Sequence, residues 1–137
     1  MMRLEISRRA DLALGALRAL GGSGYRMKGP RLAECLQTTA GFIPQVVGPL
    51  VKAGWVRSEP GPTGGYYLAV PLESVSALEV IEAVEGPTDS GACVVVDGPC
   101  DAENPCVLHE AWARARAELM RSLASVPVSQ LPLCGEA

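Results

Sequence analysis

The chain has 137 residues, of which 48% are apolar and 4% aromatic, and its formal net charge is −3. This length and apolar content suit one globular domain, or one domain with an oligomerisation element, and exclude an intrinsically disordered chain. Because aromatic residues are scarce, leucine, valine and alanine must fill the interior, which favours close helix packing and a mainly α fold.

The charge is divided along the chain. Residues 1–70 carry nine basic and four acidic side chains, whereas residues 71–137 carry three basic and eleven acidic ones. Binding to a polyanion needs only a locally positive face, so the first half is a candidate for contact with nucleic acid. The alternative is scattered, solvated charge.

The N-terminal region and the cysteines indicate the compartment. The apolar stretch "LALGALRAL" is short and interrupted by Arg18, so it predicts neither a signal peptide nor a membrane span. Five cysteines, an odd number, favour thiols or metal ligands over disulfides. We therefore expect a cytoplasmic protein that does not contact a membrane.

The first 72 residues predict three helices and a hairpin. A helix over 6–20 ends at "GGSG", and "GPRLAECLQ" predicts a second helix, followed by the turn "TTAG" with a capping threonine. A third, "FIPQVVGPLVKAG", ends at Gly54 and should be kinked by Pro49. The segment "WVRSEPGPTGGYYLAV" then reads as strand, turn and strand. This order is typical of a winged helix-turn-helix DNA-binding domain.

The start of the third helix is the candidate for reading DNA, because the N-terminal residues of a recognition helix face base edges. Gln45 is the best suited to an adenine edge. The expected DNA contacts are Lys28, Arg31 and Arg57 for phosphates, Thr38, Thr39, Phe42, Ile43 and Gln45 for the groove, and Gly64, Gly65 and Tyr66 in the wing. Each of these residues could instead be an ordinary surface residue or turn former.

The remainder divides into three segments. Residues 73–87 predict a short connecting helix in which Ser76 and Glu79 form a capping box. Residues 88–106 form a Gly/Pro-rich loop with cysteines, and 107–137 a helix with a tail. An apolar seam of that helix, suited to a second helix or to the chain's own core, comprises Leu108, Trp112, Ala115, Leu119 and Leu123.

The loop concentrates metal-ligand chemistry. Cys93, Cys100 and Cys106 have the spacing C-x6-C-x5-C, and His109, the only histidine, follows Cys106 by one helical turn. Tight C-x2–4-C knuckles, which structural zinc sites usually use, are absent from this spacing. Thiolates on a wide loop can surround a larger iron core. Zinc, reactive thiols and an emptied site remain alternatives.

The segments "ISRRADLALGALRAL", "AGWVRSEPGPTGGYYLAVP", "SALEVIEAVEG" and "CVLHEAW" together resemble the IscR/NsrR-type regulators of the Rrf2 family over nearly the whole chain. The resemblance implies a homodimer, paired through its C-terminal helix, that binds a palindromic operator in double-stranded DNA. It further implies an iron–sulfur cluster, [2Fe–2S] or [4Fe–4S], on the three loop cysteines.

The resemblance offers two fourth ligands. His109 resembles the Cys-x2-His of IscR-type members, whereas Asp11 matches the position from which NsrR-type members supply a carboxylate of the partner subunit. We favour His109, because imidazole is the softer ligand and needs no second chain. Where many family members place an arginine for the minor groove, this chain has Glu59 and Pro60.

The predicted function is therefore DNA-binding regulation controlled by a cluster that senses redox state, nitric oxide or iron status. The alternatives are a cluster-free regulator that senses through cysteine thiols or a small effector, and an iron–sulfur carrier or electron-transfer protein. No phosphate loop or nucleophile elbow is present, so we do not expect an enzyme. Cys35 is expected to be a small buried filler and Cys134 to be exposed.

Overall fold

The computed structural model describes residues 5–23, 26–88 and 107–132. It confirms a mainly helical fold with a small antiparallel hairpin. In chain order the elements are α1 (Arg8–Ser23), α2 (Gly29–Leu36), α3 (Ile43–Lys52), β1 (Val56–Glu59), β2 (Gly65–Leu68), α4 (Ala77–Glu85) and α5 (His109–Ala124). Short 3₁₀ turns cover Ala40–Phe42, Leu72–Ser74 and Val128–Gln130.

Helices α2 and α3 form the predicted helix-turn-helix. Proline lies in the first turn of each, where a missing N–H is tolerated. Gln37 ends α2 in the left-handed conformation with φ 57°. α3 remains one helix through Pro49, although proline leaves the carbonyl of Gln45 without its usual intrahelical donor.

The hairpin pairs Val56 with Leu68 at one end and Glu59 with Gly65 at the other. On the free edge of β2, Met27 and Tyr66 exchange two backbone hydrogen bonds of 2.8 Å. This pairing adds a one-residue third strand, which the sequence did not predict. It fixes the hairpin to the segment immediately before α2.

The core is formed mainly by leucine, valine and alanine from α1–α4 and the hairpin, as the composition predicted. Its largest fully buried side chains include Leu17, Leu20, Leu32, Ile43, Leu50, Val56, Val80 and Val128. The capping box of α4 is confirmed, because Ser76 Oγ accepts from the Glu79 N–H at 3.1 Å and Glu79 Oε2 accepts from the Ser76 N–H at 3.4 Å.

α5 differs from the other helices because none of its residues is buried. It packs against α4, and the chain beyond it returns to the winged part through Val128. Among the described residues, no helix has the length and apolar character needed to cross a membrane.

Candidate nucleic-acid interface

The exposed face of α3 is the first part of the candidate interface. Ile43, Val46, Val47 and Leu50 point into the core, and this spacing turns Pro44, Gln45 and Gly48 outward. Gln45 contributes a side-chain amide to this face, where proline and glycine are its neighbours. Such a face can lie close to another surface because little side-chain volume projects from it.

One predicted contact, at the first residue of α3, needs correction. Ile43 is completely buried, so its side chain packs in the core and is unavailable to a DNA groove. Phe42 is half-buried and packs against the core. Phe42 therefore stays a prediction, as do the half-buried Thr38 and the exposed Thr39 and Gln45.

The sequence reasoning missed the small residues of the same surface. Gly41, Pro44 and Gly48 are all exposed. A Cβ added at Gly41 or Gly48 would have no protein atom within 4 Å beyond its immediate stretch of chain. The sequence could have identified this surface, because the spacing of the apolar residues in α3 shows which side of the helix is buried and therefore which side is exposed.

The predicted phosphate-binding cations are all exposed, but two already have polar partners. Lys28 Nζ donates to the carbonyl of Pro62 in the wing turn at 2.5 Å. Arg31, on α2, lies 3.5 Å from Glu34, with both side chains about three-quarters exposed. Arg57 is exposed on β1. Two of these cations thus lie at the start of α2 and one lies on the wing.

The wing has an inner and an outer face. Val56, Tyr66 and Leu68 contact the core, and Tyr66 stays half-buried, so its DNA contact stays a prediction. The outer face carries Arg57 and Tyr67, which are cross-strand partners. Because adjacent strand residues point to opposite faces, Tyr66 and Tyr67 lie on different sides of the hairpin.

The two wing glycines are required by the turn itself. A Cβ on Gly64 would lie 2.0 Å from the carbonyl oxygen of Glu59. Gly65 has φ 137°, and a Cβ there would lie 3.0 Å from the Met27 carbonyl oxygen. These close approaches within the protein explain both glycines without DNA.

An ionic cluster lies at the tip end of the outer face. Arg26 Nη2 is 2.8 Å from Glu59 Oε2, and its guanidinium carbon is 5.1 Å from the centre of the Tyr67 ring. Tyr67 Oη donates to Glu59 Oε1 at 3.2 Å. We call these three residues the wing-tip cluster.

The predicted cluster ligands divide between described and undescribed parts of the chain. Cys93, Cys100 and Cys106 lie outside the described residues. His109 begins α5 and is exposed, and Asp11 is exposed on α1 at 3.9 Å from Arg8. Residues 5–23, 26–88 and 107–132 contain no group of three or more histidine, cysteine or acidic side chains able to hold a metal ion. Both candidate fourth ligands are accessible to solvent.

Cys35 differs from the sequence expectation. It is half-buried on α2 and is disulfide-bonded rather than a buried thiol. All other cysteines of the chain lie outside the described residues: Cys93, Cys100, Cys106 and Cys134. The sequence argument disfavoured any disulfide, because the expected compartment is reducing and the number of cysteines is odd.

Comparison with known families gives one match over nearly the whole chain. The Rrf2 family model, described as an iron-dependent transcriptional regulator, matches residues 6–132. A Neisseria meningitidis protein named as an HTH-type transcriptional regulator is 27% identical over 129 residues, covering 94% of this chain and 82% of the relative. IscR of Klebsiella pneumoniae is 31% identical over 90 residues, covering 66% of this chain and 55% of IscR.

Solved structures share the fold. Oxidized CymR of Staphylococcus aureus has 26% identity and a TM-score of 0.71, covering 92% of this chain and 94% of CymR. CymR of B. subtilis, described as its global cysteine regulator, has 25% identity and a TM-score of 0.74, with the same coverage. T. potens IscR has a TM-score of 0.72 at 20% identity, which supports the fold alone. The relatives' names confirm a regulator rather than an enzyme.

Proposed function

Because the chain belongs to the Rrf2 family of transcriptional regulators, we propose that it is a homodimer whose affinity for a palindromic operator is controlled by an iron–sulfur cluster. The observation that carries the DNA-binding part is the position of Gln45 on the exposed, small-residue face of α3, within a winged helix-turn-helix. In such domains the second helix of the motif enters the major groove.

The distribution of charge supports this orientation. Lys28 and Arg31 lie at the start of α2, and Arg57 lies on the wing. Cations on the elements next to a recognition helix can contact the phosphates that border a groove, and they fix the orientation of the protein without reading sequence. The wing would then approach the adjacent minor groove.

The exposed face of α5 supports the homodimer. Leu108 is 44% exposed and Leu119 is 40% exposed, although both belong to the predicted apolar seam. A groove of about 270 Å³ beside this helix is lined in part by Ile6, Ile81, Leu119 and Leu123. An apolar seam that the chain's own core does not bury is suited to the same helix of a second copy.

The donor set supports an iron–sulfur cluster. Cys93, Cys100 and Cys106 would supply three thiolates, and His109 or the partner's Asp11 would supply the fourth ligand. Thiolates bind the iron of such clusters, and an imidazole can replace a thiolate. When bound, the cluster supplies a centre that gains or loses electrons and reacts with small oxidants or nitric oxide. His109 and Asp11 are both exposed, which fits ligation by either residue.

The order of the chain suggests how the cluster would control DNA binding. The cysteine loop directly precedes α5, so a change in ligation would change the orientation of the helix that pairs the subunits. Dimers of this class contact half-sites at a separation set by the DNA helical repeat. A ligand that favours one of two dimer geometries would therefore change operator affinity.

Anaerobic purification tests the proposal directly. Iron and acid-labile sulfide would be quantified, and an operator would be selected from random-sequence duplex DNA by both the purified and the chelator-treated protein. We expect iron and sulfide in the protein and a change in operator affinity after chelation or nitric oxide. Iron-free protein, or equal affinity before and after removal of iron, contradicts cluster control.

The disulfide at Cys35 favours a second candidate, a cluster-free regulator that senses through thiols. A cysteine in a disulfide cannot donate a thiolate to iron, so pairing of Cys35 with a loop cysteine would exclude the cluster. Non-reducing peptide mapping of the protein would identify the partner. If this candidate is correct, dithiothreitol changes the operator affinity of the iron-free wild type but not that of Cys35→Ser.

A further inference from the structure

The wing-tip cluster places a negative charge on a surface predicted to approach DNA. Glu59 contacts Arg26 at 2.8 Å and also accepts the hydrogen bond of Tyr67. The side chains of Arg26 and Glu59 remain 47% and 44% exposed. Both groups are therefore ordered by contacts and still accessible to an incoming ligand.

The cluster lies at the end of the wing that is closest to the turn. Glu59 pairs with Gly65 in the last register position of the hairpin. The turn that follows is attached to the start of α2 by the hydrogen bond from Lys28 to Pro62. Arg26 is thus separated by a single residue from Lys28, which is one of the candidate phosphate-binding cations.

Stability alone is a weak explanation for this ion pair. Ion pairs that are about half exposed contribute little to folding because water screens the attraction and ordering the side chains has an entropic cost. The hairpin is already fixed by backbone pairing of Tyr66 with Met27. The pair instead decides what the guanidinium of Arg26 binds.

We propose that Glu59 lowers the affinity of the wing for DNA, because it binds the Arg26 guanidinium that would otherwise contact a backbone phosphate. This inference rests on the proposed DNA-binding function. A guanidinium binds carboxylate and phosphate oxygens with the same forked geometry, so the two anions compete for Arg26. In the wild type Glu59 retains Arg26, so this guanidinium makes no phosphate contact.

The Glu59 carboxylate is kept in this position by the hydrogen bond that Tyr67 Oη donates to it. Its negative charge offsets that of Arg26 at the edge facing the DNA and opposes binding. Removing that charge should therefore tighten binding and free Arg26 for a phosphate contact. The number of released counterions would increase accordingly, and with it the salt dependence.

Glu59→Gln tests the proposal, because glutamine retains an acceptor for Tyr67 and removes the charge. The probes would be a duplex selected by the wild type from a random-sequence library and a mixed-sequence duplex of equal length. We expect Glu59→Gln to bind both at least about threefold more tightly, because it removes one charge at the edge of the interface. The slope of log affinity against log salt should steepen by about 0.9, the value for one added phosphate contact.

Two further variants separate the role of Arg26 from a change in net charge. Glu73→Gln removes an exposed carboxylate in the Leu72–Ser74 turn, outside the wing and the helix-turn-helix, and should leave both affinities near those of the wild type. Arg26→Gln should weaken binding, because Glu59 loses its partner. In Arg26→Gln/Glu59→Gln the slope should return to the wild-type value.

The outcomes distinguish this proposal from the proposed function. If the wild type binds a duplex and Glu59→Gln binds it equally, or if the steeper slope persists without Arg26, the role of Glu59 is wrong while DNA binding stands. If folded wild-type dimer binds neither duplex, both are wrong. Circular dichroism and thermal unfolding of each variant would verify that the fold is unchanged.

Discussion

The backbone N–H of Val128 donates to the carbonyl of Val75 across 2.8 Å, and the Val128 side chain is completely buried. In the same place, the N–H of Ala77 donates to the carbonyl of Val126 at 2.8 Å. The segment after α5 is therefore part of the winged core. It completes the packing around the start of α4.

Val128→Ala should therefore destabilise the fold. The substitution removes two buried methyl groups and leaves a cavity, so we expect the free energy of unfolding to fall by about 2 kcal/mol. Val51→Ala, at a position 39% exposed on α3, is the control and should change it by less than about 0.5 kcal/mol. Urea denaturation of both variants checks this, and equal effects would mean that the C-terminal segment does not pack on the core in solution.

Gln45→Ala should reduce sequence discrimination. A bidentate amide–adenine contact distinguishes the correct base by about 1–3 kcal/mol, so the variant should bind operators changed at one adenine as well as the original. Arg31→Gln is the contrasting variant. It should weaken binding to every sequence similarly, because a phosphate contact carries no base information.

Competition binding with a set of singly substituted operators measures both effects. Discrimination that is unchanged in Gln45→Ala would place base reading on other residues of this surface, such as Thr39.

Gly48→Leu should separate folding from DNA binding. Beyond its own stretch of helix, a Cβ at this position would meet no atom within 4 Å, and replacing a helical glycine favours the helix by up to about 1 kcal/mol. The added side chain would, however, hold α3 away from a groove, so operator affinity should fall by at least about tenfold, comparable to losing one good contact. The control is Ala83→Leu on the exposed side of α4. Full affinity in Gly48→Leu would show that this face does not approach DNA.

Much of the fold could be predicted because each element has a local cause. Helical spacing of apolar residues gave α1–α4, and the Gly/Pro turn gave the wing. Gly64 shows why that signal is strong, since any side chain there would collide with the Glu59 carbonyl. Ser76 and Glu79 predicted the start of α4 because both capping partners lie within one turn of sequence.

The errors came from features that local sequence cannot specify. Met27 forms a strand of one residue, which has no periodicity to detect. Ile43 was placed on the DNA face because it begins α3, yet its direction depends on how that helix packs. The burial of Val128 depends on its contact with Val75, far away in the sequence, and no spacing rule predicts such a contact.

Leu119→Arg should dissociate the proposed dimer. Leu119 is 40% exposed and lines the groove beside α5, so a buried, unpaired cation there would destabilise subunit pairing. Ala117→Arg adds the same charge to an exposed position on the other side of α5 and should leave the dimer intact. Sedimentation velocity distinguishes the two. A dimeric Leu119→Arg would exclude this seam from the interface.

The two candidate fourth ligands, His109 and Asp11, occupy different places in the fold. His109 begins α5 directly after the cysteine loop, whereas Asp11 lies on α1 of a subunit that would have to be the partner. His109→Ala should therefore lower the iron content and shift the visible absorption of anaerobically purified protein, while Asp11→Ala leaves both unchanged. Since loss of an exposed side chain from either helix should leave the fold intact, thermal unfolding provides the control. The reverse result would assign the ligand to Asp11, and mixed dimers of Asp11→Ala with a Cys106→Ser chain would then show whether it acts across the subunit interface.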